Sequence, residues 1–402
     1  AIEIQIEAVD SQKNIQSKMF SLKLKVPLKL KLFYLASKLN NKRKSSTFSE
    51  DLPKKVRNGE ELDLVKLKKY LLKINFDLND VNQFPSGYSN LTYLLKSGSK
   101  EYILRKPPFG AESLKGGHDM LREFNVLKNL KSQFDLVPKV YHFCGDKSII
   151  GSTFYLMERV KGNIIRPNLS EENSPGKKII REISKQMINT LSTLHNVDIK
   201  AANLTDLGKI NGYNQRQVDG WIKRYYHSKT STIDNMEFVA KWLKNNIPME
   251  SKASIIHNDF KYDNIVLSKE NFSRINAILD WEMATVGDPL MDLGTSLGYW
   301  VDNDDLPELK LFQLSATTLQ GNPTREDFLH EYMLKSNTKI DNPIFYYVFG
   351  LFKIAVIAQQ IFFRYKKGYT KDKRFKLLEL AVISLSVMAK QSIEKNRLSN
   401  LF

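Results

Sequence analysis

The chain has 402 residues, of which 42% are hydrophobic and 26% are charged, a composition that excludes a disordered or fibrous protein. Its single cysteine, Cys144, excludes internal disulfides and cysteine-rich zinc sites and is typical of a reducing compartment. The net charge of +17 is compatible with phosphorylated ligands, nucleic acid or anionic lipid as partners.

Residues 1–50 are predicted to form a basic N-terminal extension. Within it, residues 19–46 hold seven lysines and Arg43 but no acidic residue, and so supply +8 of the net charge. Leucine and lysine alternate at 22–26 and 28–32, as in a half-buried strand or a segment at a membrane surface. We expect a solvated tail on a cytoplasmic protein. The alternatives are weak contact with an anionic membrane and targeting to an organelle.

Residues 51–160 are predicted to form a small N-terminal lobe built on an antiparallel sheet. Leu64, Leu67 and Leu71 lie on one face of a helix predicted within residues 60–75. Strand-like patterns separated by turn residues then predict two hairpins, with a helix between them. The strands are predicted at residues 91–95, 101–105, 148–150 and 153–157, and the helix at 120–130.

Residues 161–402 are predicted to form a larger, mainly helical C-terminal lobe. Apolar residues recur there every three to four positions, at Ile180, Ile183, Met187, Leu191 and Leu194. The segment 349–364 is apolar on nearly every side and is expected to be a core helix. No uninterrupted apolar run of about 18 residues is found, so no membrane span is predicted. The predicted fold class is α+β, with a sheet lobe followed by a helical lobe.

Carboxylate and amide side chains are concentrated between His257 and Asp280. Asp259 follows His257 by two residues, Asn264 follows Asp259 by five, and an apolar run over 275–279 ends at Asp280. In phosphoryl transfer, one carboxylate accepts the proton of the attacking hydroxyl, while a second carboxylate and an amide hold the metals that bridge the phosphates. The spacing therefore predicts a phosphotransferase site.

Two charged residues upstream favour the same chemistry. Arg105 ends a predicted strand and Glu123 lies in the following helix, the order of the cation and carboxylate that kinases pair to hold nucleotide phosphates. An ordinary surface ion pair is the alternative for these two residues.

Other polar residues of this region are expected to have structural roles. His257 is predicted to lock the catalytic loop through hydrogen bonds, because the nearby carboxylate already serves as the base. Asp288 and Asp292, just before and within a predicted helix, are expected to cap it and to brace the loop. The other histidines lack metal-ligand spacing, so zinc is not expected.

Together these residues resemble the aminoglycoside phosphotransferase and choline kinase superfamily, which has a two-lobed protein-kinase-like fold. The resemblance covers roughly residues 55–390, and it is closest to the kinase-like domain found with acyl-CoA dehydrogenases. The matching motifs are Ser89–Tyr93, Tyr102–Pro108, Arg122–Phe124, Ile150–Val160, Arg216–Val218, Trp221, His257–Asn264, Leu279–Pro289 and Asp292–Gly294.

The resemblance implies a role for each matched residue, with ATP and Mg²⁺ as cofactors. Asp259 would be the catalytic base, and Asn264 and Asp280 the magnesium ligands. Arg105 would replace the usual phosphate-gripping lysine, as is typical of this subfamily, with Glu123 orienting it. The other implied nucleotide contacts are Ser89 and Asn90 in a phosphate-covering loop at 86–90, and the hinge backbone of Glu158 and Val160.

The predicted function is therefore that of an ATP-dependent small-molecule kinase that phosphorylates a hydroxyl group. The resemblance implies a hydroxyacyl-CoA or related acceptor and a separate acyl-CoA dehydrogenase as a partner. An aminoglycoside or choline-type acceptor is a minor alternative. A pocket for a polycation should be lined by acidic residues, and no acidic cluster stands out in the sequence beyond Asp302–Asp305. The main alternative is a pseudokinase that binds nucleotide or metabolite without transfer, since Arg105 departs from the usual lysine.

Two further functions are not expected. No recognition helix or aromatic RNA-binding motif accompanies the basic charge, so specific nucleic-acid binding is disfavoured. Gly294, Ser296 and Gly298 match the Gly-x-Ser-x-Gly elbow of serine hydrolases, which requires a preceding strand. The residues before Gly294 are instead typical of a helix start, and His330 is the sole histidine downstream.

Overall fold

The structure is a computed structural model. It describes residue 48 and residues 50–85, 90–108, 118–370 and 372–402, apart from the side chain of Leu311. The predictions for the basic segment 19–46, and for Ser89 within the phosphate-covering loop, lie outside the described residues.

The N-terminal part is built on a five-stranded antiparallel sheet in the order β1-β2-β3-β5-β4. The second and third strands form the predicted hairpin, with Leu94 opposite Ile103 and Leu95 opposite Tyr102. Successive side chains point to opposite faces, so the two faces contribute to two separate hydrophobic clusters. The strands are β1 (Asp80–Gln83), β2 (Leu91–Ser97), β3 (Lys100–Lys106), β4 (Val140–Cys144) and β5 (Phe154–Glu158).

The prediction of a strand at 148–150 is wrong. These residues lie in a turn, and the partner of β5 is β4, which ends at Cys144. Asp146 accepts a hydrogen bond from the amide of Ser148 at 2.9 Å, and Gly151 adopts a φ of +81° that suits glycine. Ile150 is still buried beneath the sheet, which is why the turn has the apolar pattern of a strand.

Two helices flank the sheet. Helix α1 (Leu64–Leu72) begins after Asp63, whose side chain accepts from the amide of Lys66, and it buries Leu67 and Leu71. Leu64 lies on the same face of this helix, as predicted, but it is exposed because it is the first residue of the helix. Helix α2 (Met120–Leu130) confirms the helix predicted there, and it buries its apolar face against the sheet.

The C-terminal part is mainly helical, as predicted. Two short two-stranded sheets, β6 (Ser254–Ile256) with β9 (Thr285–Gly287) and β7 (Ile265–Leu267) with β8 (Ile275–Ile278), enclose the predicted catalytic loop. The helices are α3 (Lys177–His195), α4 (Tyr213–Ser228), α5 (Asp234–Asn245), α6 (Pro289–Gly298), α7 (Pro307–Leu311), α8 (Arg325–Ser336), α9 (Pro343–Lys366) and α10 (Leu378–Lys395).

Helix α9 is the central helix of this part, which confirms the core helix predicted at 349–364. Among the described residues it is the one helix that is long and apolar enough to cross a membrane, with a mean hydropathy of 1.6 over 18 residues. However, 83% of that window is buried inside the protein, as is typical of a core helix. One hydrophobic core runs from the sheet through α2 to α9, so the boundary between lobes at residue 160 stays a prediction.

Helices α6 and α9 approach each other closely through glycines. A methyl group at Gly350 would lie 2.0 Å from the backbone oxygen of Gly294, and one at Gly298 would lie 2.9 Å from Gly350. Gly294, Ser296 and Gly298 therefore lie within a buried helix and pack against α9. A hydrolase elbow requires a strand-to-helix turn, so this alternative is excluded.

Candidate active site

The predicted catalytic loop is fixed at both ends by buried strands. It follows Ile255 and Ile256 of β6, which are fully buried, and ends in a short 3₁₀ turn at Tyr262–Asn264 that leads into β7. The amide of Leu279 donates to the backbone oxygen of Asn264 at 2.8 Å. This bond places Asp280, the next residue, beside the loop.

The carboxylate of Asp259 is held by two side chains of its own loop. Both of its oxygens lie 2.7 Å from Nζ of Lys261, and Asn264 donates from Nδ2 to its Oδ2 at 2.8 Å. Burial opposes the charge of Lys261, but Asp259 first, and then Asp263 and Asp280, together raise the pKa of Lys261. The amide nitrogen of Asn264 is thus used within the loop, and its Oδ1 is the atom that could bind a metal.

Sequence reasoning missed Lys261 and Tyr299. The ring of Tyr299 lies 4.8 Å from Nζ of Lys261. Burial first, and then the nearby Asp259 charge, raise the pKa of Tyr299, so the hydroxyl stays protonated. Lys261 could have been found from its position two residues after Asp259, whereas Tyr299 has no local signal because it lies beyond α6.

A second group of charged residues surrounds Arg105, which ends β3 and is 8% exposed. Its Nη2 lies 2.7 Å from Oδ1 of Asp280 and 3.2 Å from Oε2 of Glu282, and its Nε lies 3.5 Å from Oε2 of Glu123. The predicted pairing of Arg105 with Glu123 is thus present, but Asp280 makes the shorter contact. Sequence reasoning missed Glu282, although Asp-x-Glu at 280–282 puts a second carboxylate within reach of the first.

Three carboxyl groups, those of Glu123, Asp280 and Glu282, face the one guanidinium of Arg105. Burial raises the pKa of Glu123, and Arg105 opposes that shift. Desolvation likewise opposes the ionisation of Asp280, but Arg105 outweighs it, and the pKa of Asp280 lies below its usual value. Arg105 Nε and Glu123 Oε2 face each other in the ion pair at 3.5 Å, and neither makes a hydrogen bond among the described residues. These features fit a site that takes up a cation together with a polar ligand.

The metal-binding capacity of the site depends on oxygen ligands. Within the described ranges, no group of three His, Cys, Asp or Glu side chains could hold a metal ion alone. Magnesium is typically bound by one or two carboxylates with phosphate and water oxygens completing its shell. Asp280, Glu282 and Asn264 are of this type.

The remaining predicted nucleotide contacts lie around this group. Asn90 donates from Nδ2 to Oε2 of Glu282 at 2.6 Å, so it lies against the group of charged residues around Arg105. Its Oδ1 lies 2.9 Å from Nδ1 of His118. Glu158 ends β5, and its amide donates to the backbone oxygen of Lys139 at 2.8 Å. Val160 follows two residues later, where the chain leaves the sheet.

The structure confirms the bracing predicted for His257 and Asp292. His257 is buried, and its Nε2 lies 2.9 Å from the backbone oxygen of Leu279. Burial lowers the pKa of His257 and favours the neutral ring. Asp292, on α6, accepts from the amides of His257 and Asn258 at 2.8 Å each. Asp288 caps the same helix by accepting from the amide of Leu290 at 3.0 Å, as predicted.

Curated relatives match most of this chain. It is 36% identical over 292 residues to acyl-CoA dehydrogenase family member 10 of Mus musculus, and the matched region covers 72% of this chain and 26% of that protein. It is 35% identical over 291 residues to acyl-CoA dehydrogenase family member 11 of Homo sapiens, covering 72% of this chain and 36% of that protein. The chain thus spans about a quarter to a third of the length of these relatives.

Solved structures share the fold. A crystal structure from Ralstonia eutropha JMP134, provisionally named an aminoglycoside phosphotransferase, is 29% identical and covers 82% of this chain and 99% of that chain, with a TM-score of 0.68. The aminoglycoside phosphotransferase APH(4)-Ia, in a ternary complex with AMP-PNP and hygromycin B, is 14% identical and covers 81% and 98%, with a TM-score of 0.54. These neighbours confirm the predicted kinase-like fold.

The model of the family described as APH, phosphotransferase enzyme family, matches residues 80–328, which is more than half of the chain. The match includes both groups of charged residues described above. The chain therefore belongs to the phosphotransferase enzyme family.

Proposed function

We propose that this protein is an ATP- and magnesium-dependent kinase that transfers the γ-phosphate of ATP to a hydroxyl group of a small molecule. The observation that carries the proposal is the placement of Asp259, held by Lys261 and Asn264, beside the Asp280 and Glu282 carboxylates. A base and a set of oxygen ligands on adjoining loops are what phosphoryl transfer requires.

Each residue of the site would have a distinct task. Asp259 would orient the acceptor hydroxyl and take its proton, while Lys261 lies close enough to stabilise negative charge at the same point. Asn264, Asp280 and Glu282 would hold magnesium, which neutralises phosphate oxygens when bound. Arg105, oriented by Glu123, would grip phosphate, and a guanidinium can do so with two donors.

For the acceptor we propose a hydroxyacyl-CoA or a related metabolite. The support is the similarity to proteins named acyl-CoA dehydrogenase family members 10 and 11. A phosphorylated hydroxyl is a better leaving group, so its product would suit an acyl-CoA dehydrogenase as the partner enzyme. The structures in complex with hygromycin B are 13–14% identical and bear on the fold alone.

One observation favours a second candidate, nucleotide binding without transfer. The guanidinium of Arg105 contacts Oδ1 of Asp280 directly at 2.7 Å, where it competes with a metal for the carboxylate. If this ion pair keeps magnesium from Asp280 in the presence of nucleotide, transfer fails.

The first test is nucleotide binding by thermal shift, with ATP or GTP and with or without Mg²⁺, on wild type and Asp280→Ala. We expect magnesium-dependent stabilisation of the wild type that is lost in the variant. No stabilisation of a folded sample by any nucleotide would refute the proposed kinase function.

The second test separates transfer from binding. Radiolabelled ATP is supplied with a 4-hydroxyacyl-CoA, choline or hygromycin B as the acceptor. Asp259→Asn should abolish transfer and leave nucleotide binding intact. Asp263→Asn is the matched control, because Asp263 lies in the same loop but pairs with Arg166 at 2.6 Å. Nucleotide binding without transfer to any acceptor would favour the second candidate.

A cytoplasmic location remains a proposal that rests on the single cysteine. Weak contact of residues 19–46 with anionic membranes is a proposal that rests on their charge. Sedimentation with phosphatidylserine vesicles tests the contact. If deletion of residues 19–46 leaves sedimentation unchanged, the membrane proposal fails.

A further inference from the structure

A lysine is buried in the core helix directly behind the catalytic loop. Lys353 lies in the middle of α9 and is 2% exposed. Its Nζ donates to the backbone oxygen of Asn258 at 3.0 Å and to Oδ1 of the same residue at 3.1 Å, and it lies 3.4 Å from Oγ1 of Thr295. An ammonium group has three donor hydrogens, so these three uncharged oxygens satisfy it.

The charge of Lys353 is costly in this position. Burial lowers the pKa of Lys353 to about 8, although the Asp292 and Asp259 carboxylates oppose the shift. The charged groups that face it are Asp292 on α6, Asp259 and Lys261 on the catalytic loop, and Arg224 on α4. A methionine would fill the same space without the cost of desolvating an ammonium, but it would not bind the two oxygens of Asn258. What distinguishes the lysine from an apolar residue here is therefore its contact with Asn258.

The partner of Lys353 is the residue that directly precedes the proposed base. Asn258 adopts a left-handed φ of +66°, and its amide donates to Oδ1 of Asp292 at 2.8 Å. Its backbone oxygen, which Lys353 contacts, belongs to the peptide bond that enters Asp259. Because a peptide unit is planar, fixing this oxygen also fixes the plane that contains the Cα atom of Asp259, from which its side chain extends.

We propose that Lys353 is a positioning residue, which holds the peptide between Asn258 and Asp259 and thereby aims the Asp259 carboxylate at the acceptor hydroxyl. Asp292 holds the amides of this loop and Lys353 holds its carbonyl. The close contact of Gly350 with Gly294 brings α9 near enough for the bond to form. This inference rests on the proposed kinase function.

The kinetic test compares Lys353→Met and Lys353→Gln with the control Val356→Ala, a fully buried residue one turn further along α9. With ATP, Mg²⁺ and a 4-hydroxyacyl-CoA, Lys353→Met should lower kcat by about tenfold or more and leave KM for ATP within about twofold. Lys353→Gln, which keeps a shorter neutral donor, should lose less. Val356→Ala should lower the melting temperature and keep kcat.

Two results would refute the positioning role of Lys353. One is a folded Lys353→Met that keeps the wild-type kcat, and the other is a loss of kcat in Val356→Ala as large as that in Lys353→Met. If Lys353→Met does not fold, Lys353→Gln gives the same decision.

Amide hydrogen exchange of residues 257–264 gives a measurement that does not depend on turnover. Exchange should be faster in Lys353→Met than in the wild type and in Val356→Ala. If the wild type transfers phosphate to no acceptor, the proposed function fails, and exchange alone shows whether Lys353 holds the loop. Equal exchange in all three proteins would overturn the inference.

Discussion

Replacing Asp292 with asparagine tests whether a buried charge holds the catalytic loop in place. The carboxylate is fully buried, accepts from the amides of His257 and Asn258 at 2.8 Å each, and lies 3.1 Å from Nε2 of His195. Asparagine has the same shape but one acceptor oxygen, and its NH₂ group would face one of these donors. The variant thus loses a charge-assisted hydrogen bond and leaves a buried donor unpaired.

The expected loss is the sum of these two effects. A hydrogen bond to a charged group contributes about 1.5–3 kcal/mol, and an unpaired buried donor costs about 1–3 kcal/mol. We expect Asp292→Asn to lower the free energy of unfolding by about 2.5–6 kcal/mol in urea denaturation at neutral pH. It should also lower kcat by about tenfold or more, because the amides of His257 and Asn258 lose their common acceptor.

Asp288→Asn is the matched control. Asp288 is equally buried on the same helix, but it accepts from Leu290, Ser251 and Asn214, none of which belongs to the catalytic loop. This variant should lose comparable stability and keep kcat close to the wild-type value. The reasoning fails if Asp292→Asn loses less than about 1 kcal/mol, or if both variants lower kcat equally.

Three further predictions follow from other contacts. Arg105→Lys should lower the Mg²⁺ concentration needed for half-maximal ATP binding, because a single ammonium competes less well for Asp280 than the guanidinium does; an unchanged Mg²⁺ titration would contradict this. Gly350→Ala should cost about 3 kcal/mol in urea denaturation, because its methyl group would lie 2.0 Å from a backbone oxygen of α6. Gly145→Ala, where the nearest atom is 3.5 Å away, should be close to neutral, and equal losses in the two variants would refute the packing argument. Lys353 should make the wild type gain stability with rising pH relative to Lys353→Met, since its pKa falls from 10.5 when unfolded to about 8 when folded. The unfolded state then binds more protons than the folded state, so stability rises with pH. The unfolding free energy of the wild type minus that of Lys353→Met should grow by about 2 kcal/mol from pH 8 to about pH 9.5, a range below the ordinary pKa of tyrosine. A difference that does not change with pH would show that the Lys353 amine is not desolvated.

Features encoded over short distances in the chain were predictable. The hairpin of β2 and β3 follows from alternation around a turn, and α3 from apolar residues every three to four positions. The spacing of Asp259, Asn264 and Asp280 identified the candidate site, because one loop and the end of the next strand carry all three residues. The capping by Asp288 was equally local, since a helix start depends on the residues next to it.

Features that depend on packing between distant segments were not predictable. Ile150 has a strand pattern, yet it lies in a turn because β4 occupies the place beside β5. Gly294 and Gly298 match a hydrolase motif, and their packing role depends on a helix about 50 residues further along the chain. Lys353 reaches Asn258 across 95 residues, and Arg105 reaches Asp280 across 175. A charged side chain acquires its role from the groups that packing places around it, and the local sequence pattern carries no information about those groups.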